Sequence, residues 1–332
     1  MPQSYRCRPY MFNAGHCHAS STTDPDDHAR GLPEFHQRYL QTGPGRFEGT
    51  LQRFDLAGDV VVYREQVNVP TAQEGWLAKD WRTFGISMSE SSSTLQGRAV
   101  GATIGHLQGG GDWAVQTAGP TDHVGIVIRD ETFAQYAEYL GGVDGISWAS
   151  QPLLETSQPA RQRASAGIGN CLRAAADNPG ALAHHASRTA LRDSILEHLF
   201  CLLIDAQPAR RRNDVTRLTY SEIVNRSREH LMTNPGMPAG LLEFCRMLRI
   251  SRRTLQTAFL EVTGVTPQAY MRAVRLSSVQ KVLRQADAPE INVAAASWGF
   301  VNMGRFAADY RLMFGYLPSE TVRTCGMVHM AR

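Results

Sequence analysis

Two kinds of apolar spacing divide this chain. From about residue 36 to 142, short runs rich in β-branched and aromatic residues, 50–56, 59–67, 82–88, 99–108, 113–117 and 124–128, are punctuated by glycine, as at Ala57-Gly58, Gly85 and Gly109-Gly110-Gly111. Such runs read as strands, and six or more of them predict a small barrel or sandwich closed by a helix over 132–140. Further on the period lengthens to that of a helix. Leu191, Ile195, Leu196, Leu199, Leu202 and Leu203 fall on one broad stripe of a predicted helix over 189–206, and a stripe of that kind must be buried somewhere. Past residue 219, Leu255, Ala258, Phe259 and Val262 line one helix face, and Phe306, Tyr310, Met313 and Phe314 line another at i, i+4, i+7 and i+8.

The punctuation around these last two stripes predicts helix-turn-helix units over 244–262 and 293–314. Ser251 is placed as an N-cap and Gly264 as a helix-ending glycine; Trp298-Gly299-Phe300 supplies a turn glycine able to take positive φ, and Asn302 caps the helix after it. With the stripes inward, Arg252, Arg253, Gln256 and Thr257 point outward from the first helix, and Arg305, Ala308, Asp309 and Arg311 from the second. Arginine can pair with guanine O6/N7 and glutamine or asparagine with adenine N6/N7, so these faces suit a DNA major groove. Thr266-Pro267 opens the segment between the units as N-cap and N1 proline. A helix from there to residue 285, roughly 19 residues at about 1.5 Å each, spans about 28 Å. That approaches the ~34 Å between successive major grooves.

From about 219 to 322 the chain resembles the AraC/XylS transcriptional regulators. The resemblance is carried by Ser251-Arg252-Arg253-Thr254-Leu255-Gln256, Phe259, Thr263-Gly264, Tyr270, Arg275-Leu276, Trp298-Gly299-Phe300, Gly304-Arg305-Phe306, Tyr310-Arg311, Phe314-Gly315 and Pro318-Ser319. It implies that Arg253, Gln256 and Thr257 face bases in the first unit, and that Met303, Gly304, Arg305 and Ala308 hold the matching positions in the second. Gly304 and Ala308 carry no long polar side chain, so that helix is expected to dock on phosphates or by shape. The first unit departs from the family at Phe244-Cys245, where Leu-Ala is common, and at Arg249, where a turn glycine is frequent. Arginine at positive φ costs on the order of 1 kcal/mol. The resemblance further implies a cupin-like β-domain for effector sensing, dimerisation or both, with a homodimer, RNA polymerase and an unidentified small-molecule effector as partners besides promoter DNA. It also favours self-association as the burial partner of the 189–206 stripe, the other choice being the chain's own β-domain. The same layout is that of activators and of virulence or quorum-sensing regulators, although no motif here carries that finer reading.

Charge agrees with the division. Residues 214–332 hold 15 basic and 9 acidic side chains, net +6, whereas residues 1–213 hold 19 and 22, net −3, and a basic segment suits phosphate contact. The expected architecture is therefore α+β: an irregular arm (1–35), a β-rich barrel or sandwich (36–150), a helical linker with dimerisation helix (151–213), a double helix-turn-helix domain (214–325) and a tail (326–332). Gln207-Pro208-Ala209-Arg210-Arg211-Arg212 reads as a solvated linker. No run approaches the ~20 apolar residues of a membrane span, no secretory segment opens the chain, and six cysteines without framework spacing point to reduced thiols in a cytoplasm.

An enzyme or metabolite-binding cupin carrying a DNA-binding module is the alternative. It finds little support: His16-Cys17-His18 lies in the arm, His106 and His123 lack the spacing of a cupin metal site, and His184-His185 reads as a solvated helix start. Neither Cys7 nor Cys17 has the surroundings of a methyl-accepting cysteine. No cofactor or metal is expected, and Trp76, Trp81, Trp113 and Trp148 are assigned mostly to core.

Overall fold

The protein, seen here in a computed structural model, is described over residues 12–13, 16–89, 93–139, 151–204, 206–209, 214–234, 240–285 and 287–329. Its strands are β1 (Phe12–Asn13), β2 (Cys17–Thr22), β3 (Phe35–Gln41), β4 (Gly49–Leu56), β5 (Val60–Val67), β6 (Thr71–Leu77), β7 (Trp81–Ser87), β8 (Ser93–Leu95), β9 (Arg98–Ala99), β10 (Thr103–Gln108), β11 (Asp112–Thr117), β12 (Thr121–Arg129), β13 (Leu153–Glu155) and β14 (Gln207–Pro208). The helices are α1 (Pro25–Ala29), α2 (Asp130–Tyr139), α3 (Gln158–Asp177), α4 (His185–Leu203), α5 (Asp214–Thr233), α6 (Leu241–Leu248), α7 (Arg252–Thr263), α8 (Pro267–Leu283), α9 (Ile291–Ser297), α10 (Met303–Phe314) and α11 (Pro318–His329).

The strands form two antiparallel sheets, ordered β1-β2-β4-β5-β12-β7-β10-β13-β14 and β3-β6-β11-β8-β9. Successive residues on the central strands β5, β12 and β7 point to opposite sides of the larger sheet, and these strands carry apolar residues on both sides. On β5, Val60 and Val62 join the core shared with α2, α3 and α4, while Val61 and Tyr63 face the smaller sheet. Both faces of that sheet are covered, giving three layers: helices, large sheet, small sheet. Gly125 on β12 sits opposite Tyr63, and a Cβ there would fall 2.1 Å from the ring, so only glycine lets the tyrosine lie across this strand.

Three expectations are corrected. Residues 17–29, placed in an irregular arm, form β2 and α1; Asp24 caps α1 by accepting from the Asp27 amide, with Pro25 in the first turn. Residues 151–209 are no linker, because β13 pairs with β10, β14 pairs with β13, and α3 and α4 close the face of the large sheet. The stripe expected to join two copies is part of that closure. Ile195, Leu196, Leu199, Leu202 and Leu203 are 0–4% exposed within the chain's own core, and Leu191 packs half-buried at its edge. With its apolar face already buried, α4 has no such seam to offer a second copy. Trp148, Cys7 and the basic run 210–212 lie outside the described residues.

The C-terminal half has two cores on one shared helix. Tyr270, Met271 and Val274 of α8 pack with α5, α6 and α7, whereas Ala273, Leu276, Val279 and Leu283 pack with α9 and α10. At 17 residues, α8 is about 26 Å long. Among the described residues no helix is long and apolar enough to cross a membrane.

Candidate nucleic-acid interface

Both turns use the same hydrogen-bonding device. After α6, the Ile250 amide donates to Cys245 O (3.0 Å) and Arg249 to Arg246 O (3.3 Å); after α9, Phe300 donates to Ala295 O (3.0 Å) and Gly299 to Ala296 O (2.9 Å). This crossed pair is the Schellman ending, which needs one left-handed residue. In the second unit it is Gly299, at φ 81°; in the first it is Arg249, at φ 53° and ψ 43°. The structure thus gives Arg249 the positive φ that Gly299 takes in the other turn, with its side chain exposed.

The second helix of each unit starts from the expected cap. Ser251 Oγ accepts from the Thr254 amide at 3.0 Å and Asn302 Oδ1 from the Arg305 amide at 2.9 Å. These oxygens are therefore occupied as the caps that the sequence predicts. Gly264 (φ 73°) and Gly315 (φ 79°) end the two helices. On α7, Arg252, Arg253 and Gln256 are exposed and Thr257 is half-buried; on α10, Gly304, Arg305, Ala308 and Arg311 are exposed and Met303 is half-buried. Arg246, Arg249, Arg252 and Arg253 are exposed on the first unit, and Arg305, Arg311 and Arg323 on the second.

Asp309 departs from its expected outward place. It is half-buried and pairs at 3.0 Å with Arg272 of α8, tying the second unit to the shared helix, as does Gln280 Nε2 donating to Tyr316 Oη at 2.7 Å. The i, i+4 periodicity that identified the apolar stripe gives no signal for a polar residue at its flank that reaches another helix.

A second feature lies between the two sheets, a cavity of about 120 Å³ bordered by Phe35, Tyr39, Tyr63, Glu65, Trp113 and His123 among others. Glu65 is 2% exposed; its Oε1 accepts from His28 Nε2 at 2.8 Å and Tyr39 Oη at 2.5 Å, and His123 Nε2 stands 3.3 Å from Oε2. Burial pushes this carboxyl up, but the His28 hydrogen bond, the two imidazoles' charge and the Tyr39 hydroxyl outweigh it, and the net shift is downward. Tyr39 goes the other way, well above the ordinary phenol, through burial and the Glu65 charge. His106 is hydrogen-bonded through Nδ1 to Gln151 O at 3.0 Å and stacked on Phe84. Burial lowers its pKa to about 4. Cys17 lies buried on β2 with its thiol pushed up by burial, unlike a nucleophile. His18 beside it faces Asp55. His184 and His185 are exposed at the start of α4.

Residues 244–324 match the sequence profile described as "Helix-turn-helix domain". The probable thc operon regulatory protein of Rhodococcus erythropolis is 34% identical over 104 residues, 31% of either chain. The XylDLEGF operon transcriptional activator of Pseudomonas putida is 33% identical over 109 residues, 32% of this chain and 33% of that one. The chain thus matches about a third of the length of these curated relatives. A crystal structure of a probable AraC family transcriptional regulator from Rhodopseudomonas palustris, 34% identical, covers 31% of this chain and 97% of its own, at a TM-score of 0.30. Paired Schellman turns and capped second helices agree with the matched helix-turn-helix profile, and over this C-terminal domain the chain is similar to the AraC/XylS regulators.

Proposed function

We propose that this protein is a sequence-specific DNA-binding transcriptional regulator, acting in the cytoplasm without enzymatic chemistry of its own. The observation that carries the reading is the pair of capped helices, α7 and α10, mounted on one rod and exposing arginines and Gln256 away from their cores. Residues 214–325 form the DNA-binding domain in this reading. Arg253, Gln256 and Thr257 address base edges, and Arg252, Arg305 and Arg311 address phosphates. The Pseudomonas relative is named an activator, which supports activation, with RNA polymerase as the further partner.

The β-rich unit is proposed to sense a small molecule in the cavity around Glu65, which is lined mostly by apolar and aromatic side chains with a few buried polar groups. Homodimerisation would use an outer face of that unit. Enrichment of binding sites from a random duplex library by the purified full-length chain tests the central reading. A two-part consensus is expected, and selection of no sequence would refute it.

A further inference from the structure

We infer that Gln41, a residue of the β-rich unit, is a positioning residue for DNA reading: it holds the two helix-turn-helix units at one mutual spacing. The inference rests on the DNA-reading role just proposed and goes beyond it, since it assigns part of the operator geometry to a residue outside the DNA-binding domain.

Gln41 ends β3 and is 1% exposed. Its Nε2 lies 2.8 Å from Gly43 O, 2.6 Å from Gly45 O and 2.8 Å from Met313 O. Met313 is the next-to-last residue of α10, so its carbonyl is one of the four that the helix itself leaves without a partner. The Gly45 amide donates to the same oxygen at 3.0 Å. The end of the second reading helix is therefore hydrogen-bonded twice by the β-rich unit. Gly315, just beyond, is approached so closely that an added Cβ would stand 3.3 Å from Arg46 Cβ.

The same few residues also hold the other unit. Leu40 packs against the core built by α5, α6 and α7. The Gln41 carbonyl accepts from Ser277 Oγ of α8 at 3.0 Å. One strand end thus touches the first unit's core, the middle of the shared helix and the terminus of the second reading helix. Because each unit packs on a different face of α8, bending of that helix alone would change their relation, and contact with a third body on both sides resists such bending. Buried hydrogen bonds without water to compete hold such geometry well.

Operator geometry is sensitive to small changes in that relation. One base pair more between two half-sites moves the second by about 3.4 Å and turns it by roughly 34–36°. A clamp that keeps the helices within those limits converts protein rigidity into spacing preference.

The test uses the full chain with noncanonical spin-label amino acids at positions 256 and 308, leaving native cysteines in place, and reads the label-to-label distance without DNA. One narrow distribution is expected, broadened or displaced by Gln41→Ala and more strongly by Gln41→Glu, which sets a carboxylate against three carbonyls. Ser277→Ala, a milder change on α8, should broaden it less and serves if a Gln41 variant does not melt cooperatively. A distribution unchanged in every folded variant overturns the inference. In parallel, unlabelled wild-type and Gln41→Ala chains select sites from random duplex DNA. Base preference within each half-site should persist while discrimination against a one-base-pair change in spacing falls at least about fivefold, the lower end of ordinary coupling between sites. Unchanged spacing discrimination also overturns it. If the wild-type chain selects no sequence, the DNA-reading role fails, and the distance measurement still decides whether Gln41 sets the arrangement.

Discussion

Arg249 occupies a left-handed position that its partner turn gives to Gly299. A Cβ there costs roughly 1–2 kcal/mol, offset in part by glycine's larger unfolded-state entropy. Arg249→Gly should therefore stabilise the chain by about 0.5–1 kcal/mol, read from urea midpoints. If the exposed guanidinium meets a phosphate, the same variant should bind DNA more weakly and lower the salt slope by about 0.9, the value for one B-DNA phosphate contact. A stabler protein with unchanged DNA affinity and slope would remove that contact from the interface. Arg253→Ala should narrow the gap between specific and random DNA by about 1–3 kcal/mol; equal weakening on both would make Arg253 a phosphate contact. His106 gives a pH dependence. The unfolded imidazole titrates near 6.5 and the folded one near 4, so between those values the unfolded chain binds the extra proton. Stability should fall as pH drops through that window, and His106→Phe, which keeps a ring beside Phe84, should flatten the slope. An unaltered slope would place the titration elsewhere.

At the scale of elements, the recognition helices were legible in sequence because everything that makes them is local: a cap, an apolar period and a left-handed residue within some twenty positions. The strands at 50–56, 59–67 and 124–128 were legible for the same reason. What was not legible depends on residues far apart. The spacing of Leu191 to Leu203 shows that a helix face must be buried, but cannot say against what, and the large sheet, not a second copy, turned out to be the partner. β3 and β6 were missed because Gln37, Gln41, Gln73 and Glu74 interrupt their apolar pattern. Asp309 and Gln41 owe their roles to partners on other elements, Arg272 and Met313. The burial of α4 changes the outcome expected of Leu199→Glu. An unpaired carboxylate would enter a site that is 0% exposed, at a cost of several kcal/mol, so the β-rich unit should unfold rather than release a monomer. Circular dichroism with sedimentation distinguishes the two, and a folded monomer would restore the dimer seam. Glu65 is equally dependent on context: Glu65→Ala strands His28 and Tyr39 and should cost about 3–5 kcal/mol, seen as a lower denaturation midpoint.

At the scale of the molecule, acidic and basic halves meet face to face. Asp24 pairs with Arg284, Asp26 with Lys281 at 3.4 Å, and Glu74 with Arg228, joining α1 and β6 to α8 and α5. DNA affinity should fall linearly in log–log form as salt rises, with a slope of about −0.9 per phosphate contact, and a flat response would rule out a phosphate-dominated interface. The pairing of β13 and β14 has a practical corollary. Because residues 153–155 cover the edge of β10, residues 207–208 cover theirs in turn, and α3 and α4 cover the face beside them, a fragment stopped near residue 150 would keep most of its strands yet bare an unpaired edge and a hydrophobic sheet surface. Such edges recruit other chains, so that fragment should be recovered as insoluble aggregate, while one carried through residue 209 should stay in solution.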